Sequence, residues 1–319
     1  MYKEIPIFFT IDETYAPFAG VAIKSLIENA SKNNKYKIIV IYQDVKKESI
    51  EKIAKLATEN CDIEFKAMEK GLETITDRTE NKLRCDYFTL TIFFRLFIAD
   101  MFPEYDKGIY LDSDIVVPGD ISELYNIDLG NNIIGACIDS SIQDIPEIQY
   151  YSKNAIGKDI KEYINSGILL INLKMMREKK FSKKFLYLLN EYHFDSVAPD
   201  QDYLNAMCIG KVKFLNETWD TMPNENRELI KNPNLIHYNL FAKPWCYDNI
   251  QYEDYFWKYA KKSDFYDTIL NFKNNYSDEQ KLSDTRSLNE IVGKAGKIPD
   301  ETNITFKKIY ESGEDVRIW

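Results

Sequence analysis

The first 66 residues alternate short β-type apolar runs with helical ones, and this alternation restricts the fold more than any other feature of the chain. Residues 5–11 are apolar and rich in β-branched and aromatic side chains, and 36–42 and 63–66 repeat the pattern. Between them Pro17 opens a helical segment reaching Asn29, with Val21, Ala22, Ser25 and Leu26 at helical spacing. A second helix over 46–59 turns Ile50, Ile53, Ala54 and Ala57 inward. Strands separated by helices need crossover connections, so they build an α/β fold around a mainly parallel, Rossmann-like sheet. Further strands are expected at 108–111, 133–137 and 168–173, and a helix over 88–101 after a polar stretch at 76–82. The 319 residues, 45% of them hydrophobic, fit one large domain with an appendage as well as two modest domains. Beyond Trp245 the character changes. Tyr252, Tyr255, Phe256 and Tyr259 lie at helical spacing and are expected to pack back on the main body, while the chain from Ser277 is polar and weakly patterned. The expected division is a main domain over 1–245 and a mostly helical extension over 246–319.

The formal net charge of −10 makes nucleic acid an unfavourable partner and leaves at most a peripheral membrane contact through the C-terminal segment. A diphosphate ligand would have to meet a metal or a few placed cations against that background. Five scattered cysteines, Cys61, Cys85, Cys137, Cys208 and Cys246, show no CxxC spacing and argue against a disulfide scaffold or a zinc site. The N-terminus enters an apolar strand without a basic start, and no stretch approaches the ~20 apolar residues of a membrane span, so a reducing cytoplasm is expected.

In the run Ile109-Tyr110-Leu111-Asp112-Ser113-Asp114-Ile115-Val116-Val117, two carboxylates one residue apart stand between apolar stretches. An extended backbone aims both the same way, and the carboxyl ends of strands form the ligand crevice of open α/β sheets. A divalent cation bridging them to a diphosphate would remove their repulsion, and hard oxygen ligands suit Mn²⁺ or Mg²⁺. A solvated turn explains the same spacing, so other residues decide. His237, one of two histidines, follows another short apolar run, and an imidazole ligand tilts an oxygen site toward Mn²⁺. Lys243, beside Pro244 and Trp245, is placed to meet phosphate. His193, at a polar helix end, is read as structural.

Several pieces in a fixed order carry a resemblance: Phe9-Thr10-Ile11-Asp12-Glu13-Thr14-Tyr15, Phe94-Arg95-Leu96, Tyr110 to Asp114, Asn165-Ser166-Gly167 with the strand after it, Pro199-Asp200-Gln201-Asp202, and His237-Tyr238 with Lys243-Pro244-Trp245. Over about residues 5–245 the chain resembles the family 8 glycosyltransferases. The resemblance implies a GT-A fold, a UDP-sugar donor, Mn²⁺, and transfer of glucose or galactose with retention of anomeric configuration. It implies Asp112, Asp114 and His237 as metal ligands, and Asp12, Thr14 and Tyr15 beside the uridine, with Thr10 and Ser113 also among the donor-binding residues. Arg95 falls near the donor sugar and its diphosphate, and Lys243 falls on the diphosphate. Asp139, Asn165, Asp200 and Gln201 fall at the hexose and the reacting carbon. The acceptor would be a glycan, glycolipid or glycoprotein, and a homo-oligomer is left open. One position departs from the pattern: Leu240 stands where the family usually has glycine.

Breaking a sugar–diphosphate bond builds negative charge on the leaving oxygen and positive charge at the anomeric carbon, and a cation together with Lys243 would meet the first. Retention needs a protein nucleophile or attack from the leaving-group face. Asp200 and Asp139 are carboxylates able to form a covalent intermediate, whereas Gln201 is a neutral amide. Same-face attack is preferred here, with the leaving oxygen as base. Simpler roles exist for single residues: Asn165 starting a strand, Asp200 as a helix N-cap, Arg95 paired with Asp100 or Glu104. Two rival functions share parts of this pattern. A sugar-nucleotide nucleotidyltransferase would want a basic glycine loop where this chain has Asp12-Glu13-Thr14-Tyr15. A non-catalytic nucleotide-sugar binding module would not need the whole set of acids and cations.

Overall fold

The computed structural model describes residues 4–68 and 91–318. Nine strands are present among them: β1 (Glu4–Ile11), β2 (Lys35–Tyr42), β3 (Cys61–Ala67), β4 (Gly108–Leu111), β5 (Ile115–Val116), β6 (Ile134–Ala136), β7 (Ile168–Ile171), β8 (Val212–Phe214) and β9 (Ile236–His237). Seven form one sheet in the order β3-β2-β1-β4-β7-β6-β8. Only β7 runs against its neighbours β4 and β6, and the other pairs are parallel, so the sheet is mixed and mainly parallel as expected. Successive side chains feed opposite faces. Phe8, Ile39, Tyr110 and Leu169 enter one core, and Ile7, Phe9, Val40 and Ile109 enter the other. Burial on both faces is why these strands read as unbroken apolar runs.

Two helical expectations need correction. The helix after β2 covers Lys47–Ala54 and stops short of residue 59, because Thr58 N–H bonds to Cys61 C=O at 2.9 Å and turns the chain into β3. The single helix expected over 88–101 is, from residue 91, two four-residue helices, Thr91–Phe94 and Ile98–Met101. Tight i to i−3 bonds at Leu96 and Phe97 make the break, and residues 88–90 lie outside the described residues, as do 76–82.

The C-terminal segment is helical: Glu253–Ala260, Tyr266–Asn274, Asp278–Glu301 and Phe306–Glu311. The aromatic stripe is core, with Phe256 and Tyr259 each 1% exposed. A Cβ on Gly20 would lie 2.5 Å from the Phe265 ring, so glycine lets this segment press onto the helix Ala16–Asn29. Asn29 Nδ2 donates to Val117 C=O at 2.9 Å and to Tyr259 Oη at 2.8 Å, joining three parts of the chain. The long helix Asp278–Glu301 opens with a capping box, in which Ser277 Oγ accepts from Gln280 N–H and Gln280 Oε1 from Ser277 N–H. It buries only Asp284, Ser287, Ala295, Ile298 and Pro299, which explains its weak sequence pattern. Cys61, Cys137, Cys208 and Cys246 are buried and form no disulfide among the described residues, and Cys85 lies outside them. Among the described residues no helix is long and apolar enough to cross a membrane.

Candidate active site

β4 lies between β1 and β7, and Asp112 follows directly at its carboxyl end. Asp112 N–H bonds to Gly167 C=O at 2.7 Å, which continues the β4–β7 pairing one step and fixes the backbone of the first acid before β5. β5 then pairs antiparallel with β9, opposing Ile115 to His237, and Tyr238 N–H closes on Asp114 C=O at 2.9 Å. Two residues of ladder thereby carry an imidazole to the acids from 123 positions away. One carboxylate oxygen from each acid and one histidine nitrogen lie within 4.8 Å of one another. His237 Nε2 is 3.3 Å from Asp114 Oδ1 and 4.0 Å from Asp112 Oδ2. The three residues form a group that can hold a metal ion.

Each member is fixed from behind. His237 Nδ1 is 3.0 Å from Asp220 Oδ1, the outer carboxylate contact that orients a metal-binding imidazole. Burial depresses the charged imidazole, but Asp114 and Asp220 outweigh it and raise His237 to about 10. Burial raises Asp220 to about 6 despite that histidine, and its Oδ2 has no hydrogen-bond partner. Burial also opposes charge on Asp114, yet Lys243 and His237 hold this carboxyl well below its usual range. Lys243 Nζ reaches Asp114 Oδ2 at 2.5 Å and Tyr238 C=O at 3.0 Å, and Trp245 next to it stacks on Phe18 at 4.2 Å. Asp112 accepts from Tyr110 Oη at 2.6 Å, and Tyr110 in turn contacts Thr10 Oγ1 at 2.9 Å.

Arg95, at the break between the two short helices, turns inward. It meets Asp112 at 2.9 Å, Asp200 at 3.1 Å and Ser166 C=O at 2.6 Å, not Asp100 or Glu104. Asp200 lies one residue inside the helix Pro199–Met207, whose N-cap is Ala198, so it is not the cap. Its Oδ2 accepts from Ser166 Oγ at 3.0 Å, while Oδ1 is buried without a partner. Gln201 Nε2 and Asn165 Nδ2 both donate to Asp139 Oδ2 at 3.0 Å, and Ser141 donates to Asp139 Oδ1 through N–H and Oγ. Asn165 is thus tied to a carboxylate rather than merely preceding β7.

Sequence reasoning passed over three contributors: Asp220, Ser166 and Gly167. A Cβ on Gly167 would lie 2.5 Å from His237 Cε1 and 2.7 Å from Asp112 Oδ2, so glycine keeps open the space between the acids and the imidazole. The rest of the expected donor set lies close in the fold. Ser113 Oγ donates to Thr10 C=O at 3.4 Å, and Asp12, Thr14 and Tyr15 occupy the turn leaving β1, the strand beside β4. Asp12 accepts there from Tyr15 N–H at 2.9 Å. Leu240 has φ +52°, the left-handed backbone that favours glycine, so a leucine there carries a conformational cost.

Four carboxylates, Asp112, Asp114, Asp200 and Asp220, contact Arg95, Lys243 and His237, leaving an acidic excess suited to a divalent cation. Comparison with known proteins adds the following. Residues 6–249 match the family described as Glycosyl transferase family 8. The chain is 27% identical over 302 residues to the lipopolysaccharide 1,2-glucosyltransferase of Escherichia coli K12, covering 84% of this chain and 83% of that protein. It is 29% identical over 173 residues, half of each chain, to the lipopolysaccharide 1,3-galactosyltransferase of Salmonella typhimurium LT2. The crystal structure of the galactosyltransferase LgtC with donor and acceptor sugar analogs superposes with a TM-score of 0.70 at 24% identity, covering 88% of this chain and all of that one.

Proposed function

This chain belongs to glycosyl transferase family 8, and from that premise we propose that it moves glucose or galactose from a UDP-sugar to a hydroxyl of a glycan, glycolipid or glycoprotein, with retention. The convergence of Asp112, Asp114 and His237 carries the proposal. Two hard oxygens, one nitrogen and the space kept by Gly167 fit Mn²⁺, which when bound supplies a Lewis acid beside the departing diphosphate. Lys243 adds a fixed positive charge at the same end and needs no proton transfer to act. Asp139, Asn165 and Gln201 hold one another rigidly, which suits them to orient hexose hydroxyls. The unpartnered Oδ1 of Asp200 is available to accept one of those hydroxyls. Both oxygens of Asp139 already accept hydrogen bonds, which disfavours that residue as a nucleophile. Residues 1–245 would bind donor and metal, with 246–319 bracing them.

Purified protein incubated with UDP-glucose or UDP-galactose and Mn²⁺ should release UDP slowly. Asp114→Ala should lower that rate on the order of 100-fold, the usual loss when a preorganised charge at the leaving group is removed. Pyrophosphate release from UTP and a sugar phosphate, without UDP release from either sugar nucleotide, would identify a nucleotidyltransferase instead. A glycosyl adduct trapped on Asp200 or Asp139 in the unaltered enzyme would overturn same-face attack.

A further inference from the structure

A small cavity of about 40 Å³ borders Asp139 and Gln201, the residues proposed to hold the reacting end of the hexose. Apart from Tyr163 and Asn239 the rest of its wall is aliphatic, and three of the lining residues, Leu288, Ile291 and Val292, come from one face of the long helix Asp278–Glu301. That helix lies beyond residue 249, outside the segment that matches the family. Leu240, on its left-handed backbone, lines the cavity too. Leu288, Ile291 and Val292 are only partly buried, and Ile291 also packs against the core beneath the helix. A larger cleft of about 350 Å³ reaches Asp220, behind His237, but touches neither Asp139 nor Gln201. The attacking hydroxyl must approach the carbon that Asp139 and Gln201 face, which makes the small cavity the acceptor side of the site. Its size is far below the ~300 Å³ that encloses a whole ligand, so it takes a substituent and not a sugar ring.

We infer that Leu288, Ile291 and Val292 determine acceptor specificity, selecting an acceptor that carries a small apolar group beside the hydroxyl to be glycosylated. This rests on the hexosyl-transfer reading above. A methyl-bearing substituent lodged against these three side chains gains from burial, whereas a polar one set there loses water and receives no hydrogen bond from them.

The test uses the full chain with Mn²⁺ and either UDP-glucose or UDP-galactose. Glucose and galactose are compared as acceptors with their N-acetylamino derivatives and their methyl glycosides, and UDP release above the acceptor-free rate is measured. At least one derivative should outpace its parent sugar about fourfold, equivalent to the ~0.8 kcal/mol of one buried methylene. Val292→Phe, which fills the cavity, and Ile291→Ser, which makes it polar, should each abolish that preference. A rise in melting temperature with Mn²⁺ and UDP marks each variant as folded. Equal UDP release from parents and derivatives, nil included, overturns the inference alone, as does a preference that survives both variants. Absence of both UDP release and Mn²⁺-dependent stabilisation in the unaltered protein overturns the functional reading, and the inference with it.

Discussion

Gly167 owes its place to what it lacks. Alanine there would put a methyl carbon 2.5 Å from the His237 ring and 2.7 Å from an Asp112 oxygen, so the ring or the acid must move. Gly167→Ala should therefore leave the fold intact and cost at least about 100-fold in Mn²⁺-dependent UDP release, the scale expected when a catalytic charge is misplaced. Circular dichroism beside the activity assay checks both halves. His237 supplies a pH prediction. Its metal-free pKa is raised to about 10, and a metal ligand must first lose that proton. Below that pKa one proton is displaced per cation, so affinity rises with pH, by about tenfold from pH 7 to pH 8. Calorimetric Mn²⁺ titrations at those two values measure it, and equal affinities would show that binding displaces no proton from the imidazole. Asp112 and Asp114 were legible as a pair because an extended backbone points them one way. Asp220 was not: it stands in an irregular loop with no periodicity or motif, and its role appears only once His237 Nδ1 is seen to need a carboxylate.

Elements differed in legibility for a related reason. Strands β1, β2, β4 and β7 announced themselves because both faces are buried and the apolar run is continuous. β5 and β9 are two residues each, too short for any period, although their pairing assembles the metal group. The break at Arg95 escaped notice because residues on both sides of it are apolar and keep a helical appearance, while the deciding contacts, Asp112 and Asp200, are distant in sequence. The contact between the helix Ala16–Asn29 and Phe265 can be tested directly. Gly20→Val forces a branched side chain into the Phe265 ring and should destabilise by about 1–3 kcal/mol, the range for overpacking a filled core. That corresponds to a fall of several degrees in melting temperature, at roughly 2–4 °C per kcal/mol. A thermal scan reads it, and an unchanged midpoint would mean that this contact yields without cost.

At the scale of the molecule, the C-terminal segment contributes to both sides of the sheet. Phe256, Tyr259, Phe265 and Ile269 complete one core, and Ala295, Ile298, Phe306 and Val316 the other. Each large apolar side chain so buried contributes roughly 1.5–3 kcal/mol, against a net stability of about 5–15 kcal/mol for a typical protein. A chain ending at residue 249 should therefore fail to give a cooperative thermal transition, and calorimetry of that truncation decides it. The ladder between Ile115 and His237 also has a consequence for synthesis. A chain emerging from the ribosome exposes Asp112 and Asp114 long before translation reaches the histidine that completes the triad. The centre is thus closed only once residue 237 has emerged, and a shorter nascent fragment carries the acids without the imidazole that completes the cation site.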